Sequence, residues 1–250
     1  MKKINSNQFT LYGINSTICV LDCNSFEISS IDILKDGRAE KNNLLMKKIS
    51  RQSIVPTFYK KQSFYNKYPD VRSQGIVISF YGHLITKEIP DFDDLSDVCL
   101  LALDQIEDPQ NFGQIIRTAE CAGINGIIFP KHHSVSISNS VLQVSQGAFV
   151  NVPLYEVTNL KNEFSRLKDN GFWVIGIENS IKSETWDKID YTDKTIIVVG
   201  SEGRGIREKV LDACDYKATI PMQGMTNSLN VSATVSAIVF ERLRQIQNNN

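Results

Sequence analysis

The chain has 250 residues and 28.2 kDa, with 42% hydrophobic and 22% charged residues, a folded globular composition that excludes an intrinsically disordered chain. No apolar run approaches the roughly 20 residues that span a bilayer, and the basic start Met1–Gln8 is followed by no apolar signal core. Five scattered cysteines (Cys19, Cys23, Cys99, Cys121, Cys214) with no Cys-x-x-Cys pair exclude a disulfide framework and a thiolate zinc site, so a reduced, cytoplasmic protein with no metal and no membrane contact is expected.

The formal net charge of −1 hides an asymmetry. Residues 1–90 hold 13 Lys+Arg against 7 Asp+Glu, net +6, and residues 91–250 hold 14 against 21, net −7. A small basic part next to a larger acidic one suggests a polyanion-binding module joined to something else. Along the basic part, Ile14 to Val20 reads as a helix, Ile28 to Leu34 as a strand, Lys41 to Ile49 as a helix and Gly75 to Phe80 as a strand. The polar, Pro-containing stretch around residues 86–97 reads as a boundary, which gives a first domain over 1–90, a linker over 91–97 and a second domain over 98–250.

Beyond the boundary the alternation is regular. Val98 to Leu103 is a continuous apolar strand; Asp108-Pro109 opens a helix that runs to Ala122, with Gly123 as its stop. Strands follow at Gly126 to Phe129 and Val152 to Val157, then a helix at Leu160 to Asp169. Strands at Phe172 to Ile177 and Thr195 to Val199 come next, then a helix at Ile206 to Ala213, a strand at Tyr216 to Ile220, and a final helix from about Asn230. Apolar strands alternating with helices specify a parallel sheet in an α/β domain.

Three segments combine Gly, polar side chains and strand ends, where open α/β sheets hold ligands. The first runs from Leu103 to Ala119. Asp108 suits an N-cap and Pro109 a first helical residue, while Asn111 and Arg117 interrupt an apolar helix; Arg117, among Ile115, Ile116 and Ala119, is expected close to the sheet. The second is the strand into Gly200-Ser201-Glu202-Gly203-Arg204-Gly205. Its glycines allow close backbone approach but their order is not that of the dinucleotide fingerprint, which disfavours a nucleotide-dependent oxidoreductase. A tight strand-to-helix turn would need such glycines anyway. The third, Ile220-Pro221-Met222-Gln223-Gly224 and then Ser228-Leu229-Asn230-Val231-Ser232, leaves a strand and enters a helix; Ser228 and Asn230 are both plausible caps. Adjacent His132 and His133 point different ways and make a poor metal pair.

Together these segments resemble the SpoU/TrmH family of the SPOUT class of RNA methyltransferases. Asp-Pro-x-Asn-x-Gly-x-Ile-x-Arg-Thr-Ala stands at Asp108 to Ala119, Gly-Ser-Glu-Gly-x-Gly at Gly200 to Gly205, and Ile-Pro-Met-x-Gly with Ser-Leu-Asn-Val-Ser at Ile220 to Gly224 and Ser228 to Ser232. Val144 to Ala148 fits a further family segment, after which Val150 stands where many members carry Glu. The N-terminal part is similar to the ribosomal-protein-like RNA-binding domain of the bacterial 23S rRNA guanosine 2′-O-methyltransferase subgroup, through Leu11 to Ile14 and Ser73 to Val77, with Ser73 in place of a common His.

The resemblance implies an α/β methyltransferase domain whose C-terminal segment threads a trefoil knot, beside a small N-terminal α/β RNA-binding domain, in a homodimer. It implies S-adenosylmethionine held by Gly200, Ile220, Met222 and Leu229, and methyl transfer to a ribose 2′-hydroxyl of RNA, 23S rRNA above all, by Arg117, Asn111, Glu202, Ser228 and Asn230. Because Arg keeps its proton, Arg117 is expected to act as an electrostatic clamp. The alternatives are a tRNA or other rRNA 2′-O-methyltransferase, or a non-catalytic RNA-binding ribosome-assembly factor.

Overall fold

The computed structural model describes residues 7–69 and 72–249, so most of the Met1–Gln8 start lies outside the described residues. In chain order the elements are β1 (Asn7–Tyr12), α1 (Ile14–Asp22), β2 (Glu27–Leu34), α2 (Asn43–Ile49), β3 (Thr57–Tyr59), α3 (Lys61–Lys67), β4 (Ile76–Gly82), β5 (Ile85–Thr86), β6 (Val98–Asp104), α4 (Pro109–Cys121), β7 (Gly126–Pro130) and α5 (Asn139–Ser145). They continue with β8 (Leu154–Val157), α6 (Leu160–Asp169), β9 (Trp173–Ile177), β10 (Glu184–Thr185), β11 (Lys194–Gly200), α7 (Glu208–Leu211), β12 (Tyr216–Thr219) and α8 (Val231–Asn249). Two compact units result: residues 1–84 with 137–150, and residues 85–136 with 151–250.

The first unit carries a four-stranded sheet in the order β1-β4-β2-β3, antiparallel except for β2 with β3. Strand β1 was not legible in advance, since only Phe9 and Leu11 mark its buried face. Its outer edge would leave strand amides unpaired. Helix α5 meets them with side chains: Asn139 Oδ1 accepts from the Thr10 amide at 3.0 Å, and Gln143 accepts from Tyr12 N–H at 3.0 Å while donating to its carbonyl at 2.9 Å. That pairing explains why residues 137–150 group with the first unit, where a single boundary at 91–97 would put them in the second. Helix α3 was also missed, because Phe64 is its one buried side chain and no amphipathic repeat results.

The second unit is built on eight strands in the order β10-β12-β9-β11-β6-β7-β8-β5, every pairing parallel, as the apolar runs specify. All seven residues of β6 are buried, which is what helices on both faces of a parallel sheet require. Leu100, Ala102, Val174, Ile196 and Val198 meet Phe164, Leu167 and Val210 in the core. Asp108 caps α4 as expected, accepting from the amides of Gln110 at 3.1 Å and Asn111 at 3.2 Å, with Pro109 behind it. The stretch read as a linker is fastened down: Ile89 is buried, and Arg166 donates to the Asp91 carboxylate at 2.7 Å and the Ile89 carbonyl at 3.0 Å.

The helix expected over 206–213 contracts to the four residues of α7. Its first amides are committed elsewhere, Ile206 N–H to Glu178 Oε2 and Arg207 N–H to Asp104 Oδ2, at 2.9 and 2.8 Å. Both bonds hold the turn against the carboxyl ends of the strands.

Candidate functional site

Strand β6 leads through β7 to β8 on one side of the sheet, and the chain then crosses to β9 and β11 on the other. The β6/β11 pair is therefore the topological switch point, and a crevice opens beyond the carboxyl ends of these strands. The loop after β6 and the cap of α4 place Asn111 on one wall. The glycine turn after β11 places Glu202 on the other, and the entry to α8 brings Asn230 between them.

Asn111 Nδ2 donates to Glu202 Oε1 at 3.2 Å, and Asn230 donates both to Asn111 Oδ1 at 3.0 Å and to Glu202 Oε1. Asn230 Oδ1 meanwhile accepts from the Ser232 amide at 2.9 Å, and the Ser232 hydroxyl, with one proton to give, stands 2.6 Å from Asn230 Oδ1 and 2.9 Å from Gln114 Oε1. Asn230 thus caps α8 and joins the network at once. Two asparagines 119 positions apart along the chain converge on one carboxylate oxygen of Glu202.

Two hollows adjoin this network. A cavity of about 460 Å³ is lined by Glu178, Asn179, Gly200, Ile220, Ser228 and Leu229 among others. A second, of about 250 Å³, is lined by Gln105 to Asp108 and Asn111. Ser201, Glu202, Arg204 and Val231 line both. The first lies within the 300–1,000 Å³ range of small-molecule sites.

The turn between the hollows is forced by close packing. A Cβ on Gly200 would stand 2.0 Å from the Gly205 backbone, and one on Gly205 would stand 2.2 Å from Glu178 Oε2. Gly205 moreover has φ of +67°, a conformation that favours glycine. Ser201 Oγ is buried there with no hydrogen-bond partner.

Of the residues expected at a site, Asn111, Glu202 and Asn230 are hydrogen-bonded together, and Ser228, Gly200, Ile220 and Leu229 line the larger cavity. Met222 is half-buried and lines neither hollow. Arg117 differs from its expected place near the sheet: it is exposed, lines neither hollow, and has no hydrogen bond or ion pair among the described residues. Ile115, Ile116 and Ala119 take the buried face of α4, and the helical turn leaves position 117 outside.

Sequence reasoning missed two neighbours just past the end of β9. Glu178 accepts from Ile206 N–H at 2.9 Å and Ser180 N–H at 3.0 Å. Asn179 Oδ1 accepts from the Ile220 amide at 2.9 Å and the Thr219 hydroxyl at 3.0 Å, and its Nδ2 donates to the carbonyls of Ile220 at 3.1 Å and Asn227 at 3.4 Å. One residue anchors the glycine turn and the next anchors the loop into α8. Buried Asp104, at the end of β6, completes the scaffold by holding Arg207 through Nε at 2.8 Å. No local motif marks these three. Among the described residues, no group of three or more His, Cys, Asp or Glu is arranged to hold a metal ion, and no helix is long and apolar enough to cross a membrane.

Comparison with known proteins gives the same frame. Residues 99–240 match the model of the SpoU rRNA Methylase family. A protein of Staphylococcus saprophyticus, assigned by name to the TrmH family of tRNA/rRNA methyltransferases, is 42% identical over 153 residues, 61% of this chain and 60% of that one. The chain thus matches about three-fifths of the length of such relatives. Among solved structures, the SpoU methyltransferase AviRb of Streptomyces viridochromogenes in complex with AdoMet superposes with a TM-score of 0.78 at 18% identity, covering 96% of this chain and 91% of that one. A structure described as an RNA 2′-O ribose methyltransferase superposes with a TM-score of 0.80 at 19% identity, over 97% and 90% of the two chains. At these identities the superpositions speak for the fold.

Proposed function

The chain belongs to the SpoU rRNA Methylase family, and from that premise we propose that it transfers a methyl group from S-adenosylmethionine to a ribose 2′-hydroxyl of RNA, a guanosine of 23S rRNA being the target and a homodimer the working form. The observation that carries the reading is the Asn111–Glu202–Asn230 network between two adjoining hollows at the switch point. One hollow suits a donor and the other an acceptor, with the network at their junction. A relative named for tRNA/rRNA methylation and solved structures of the same fold, one of them bound to AdoMet, support the same choice.

The residues present fit the cofactor. Gly200 and Gly205 let the turn pack on itself and on Glu178 so that its backbone lines the larger cavity, and Ser201 supplies a buried hydroxyl still without a partner. Gly200, Ile220 and Leu229 would hold it, with Met222 on the same loop. Ile220 N–H is committed to Asn179, so Ile220 offers its carbonyl's second lone pair. When bound, the cofactor supplies an electrophilic methyl group on a positively charged sulfur. The chain's expected threading belongs to the same proposal: the segment leaving β12 passes the network at Asn230 and packs α8 on α4.

At the acceptor side the 2′-hydroxyl must shed a proton, to the substrate phosphate or to water, while it attacks. Glu202 Oε2 has no partner among the described residues and can accept a substrate hydrogen bond, while Asn111 and Asn230 hold Oε1 in place. Ser228 lines the larger cavity and would orient the ribose where the two hollows adjoin. Arg117 stands six residues after Asn111, about 9 Å further along α4, and serves as a charge that steadies the substrate phosphate or the nascent alkoxide.

The test is to incubate the protein with isotopically labelled S-adenosylmethionine and total bacterial RNA, then digest and map the product. Label in a 2′-O-methylguanosine of 23S rRNA is the expected result. Label on a base, or none in any RNA, overturns the reading. Arg117→Ala is expected to abolish transfer with cofactor affinity retained, and wild-type turnover of that variant would remove Arg117 from the chemistry.

A further inference from the structure

The second unit must meet an anionic substrate although it holds 15 Lys+Arg against 22 Asp+Glu. Three of its cations fall within six consecutive residues, Arg204, Arg207 and Lys209, immediately after the glycine turn. Arg204 lines both hollows of the candidate site. Arg207 and Lys209 line a third hollow of about 270 Å³, together with Lys161, Thr158 and Asn159 from the segment after β8. Since every strand of the sheet is parallel, β8 and β11 end on the same side, and this hollow shares the sheet end that carries Asn111 and Glu202.

The cations are uncommitted or held ready. Arg204, Lys161 and Lys209 form no ion pair among the described residues, and all three are exposed. Arg207 spends Nε and Nη2 on Asp104 Oδ1, at 2.8 and 2.6 Å, which fixes its guanidinium plane and leaves Nη1 for a second anion. Glu208 shares the hollow and is outnumbered by three cations. The segment itself is pinned, through Ile206 to Glu178 and through Arg207 to Asp104. It spans at most about 18 Å, room for several phosphates where a strand in a duplex carries one per about 3.4 Å.

We propose that residues 204–209, with Lys161, form a track for the RNA sugar–phosphate backbone on the catalytic unit, running from the acceptor hollow to the third one. The proposal rests on the reading of RNA as substrate and adds where the strand lies beyond the reacting nucleotide. Contacts of this kind fix register and carry no base preference.

The experiment measures binding of a short, fluorescein-labelled single-stranded RNA to the full chain by anisotropy across a salt series, with S-adenosylmethionine affinity followed by calorimetry. For Lys161→Gln/Lys209→Gln we expect affinity several-fold weaker at low salt, and a slope of log K against log salt shallower by about 1.4, two single-strand phosphate contacts. Adding Arg204→Gln should remove about 0.7 more. The control pair Lys182→Gln/Lys188→Gln, exposed lysines outside all three hollows, should leave the slope unchanged. An unaltered slope in the first pair, or an equal loss in both pairs, overturns the track. A wild-type chain that binds no S-adenosylmethionine would sink the catalytic reading instead, and the slopes would still decide the track.

Discussion

A single amide side chain does the most positional work at the candidate site. Asn179 makes four hydrogen bonds, two as acceptor and two as donor, to the segment 219–227. Alanine would free that segment and leave its polar groups to water, at about 1 kcal/mol per bond. Asn179→Ala should therefore weaken S-adenosylmethionine binding by roughly tenfold or more in calorimetry, with the protein still folded by circular dichroism. Asp at this position would do no better, because its carboxylate would face two carbonyls. Unchanged affinity in both variants would make the clamp irrelevant to the donor. The thiols give a second check at this scale. Cys121 is exposed, whereas Cys99 and Cys214 are buried, and burial pushes the Cys214 thiol up to about 12 and the Cys99 thiol up as well. Alkylation of the native protein at mildly alkaline pH should label Cys121 rapidly and spare Cys99 and Cys214 until unfolding, as peptide mass mapping would reveal.

At the scale of elements, much of the second unit could be read in advance. The apolar runs of β6, β7, β9 and β11 and the Asp108-Pro109 cap give strand and helix identity directly, and the motif strings mark Asn111, Gly200, Glu202 and Asn230. Glu178, Asn179 and Asp104 stayed hidden because their partners lie 28, 41 and 103 residues away, and it is the strand order β12-β9-β11-β6 that brings them together. Arg117 lies away from the sheet for the opposite reason: its apolar neighbours in sequence occupy a different face of the same helix. The glycine turn yields a sharp prediction. Gly200→Ala would drive a methyl into backbone with no flexible group to give way, so stability in denaturant should fall by about 3 kcal/mol or more. A loss below 1 kcal/mol would mean that the turn is loose.

The joint of α3 with β2 has its own pH signature. Lys67 donates to buried Asp32 at 2.6 Å and Tyr68 donates to the same oxygen at 2.5 Å. The bond to Asp32 raises the Lys67 ammonium, while burial, then that bond, pushes the Tyr68 hydroxyl up to about 12 from 10.0. Both shifts favour the protonated fold, so their contribution is full below about pH 10 and drains as pH climbs toward 12. The denaturation midpoint should drop between about pH 10 and pH 12, and Tyr68→Phe should shrink the drop. An identical decline in the variant would assign it to other groups.

For the whole molecule, the two units keep the charge asymmetry of the sequence although the chain path between them is different. The first unit holds 12 Lys+Arg against 6 Asp+Glu, net +6, and ion pairs take up Lys48 and Lys67 there. Lys35, Arg38, Lys41, Lys47, Lys60 and Lys61 form no ion pair among the described residues, so RNA affinity of the intact protein should fall steeply with salt. A flat salt series would deny that unit its role as a polyanion-binding surface.

The return of residues 137–150 to the first unit has a consequence for biosynthesis. Strand β1 leaves the ribosome early, yet Asn139 and Gln143, which close its edge, come well over a hundred residues later. At about 5–20 residues per second, on the order of 3–13 s separate residue 84 from residue 150. Throughout that interval a nascent sheet waits with one side bare while the next begins to assemble, so the amino-terminal half cannot mature before its neighbour is under way.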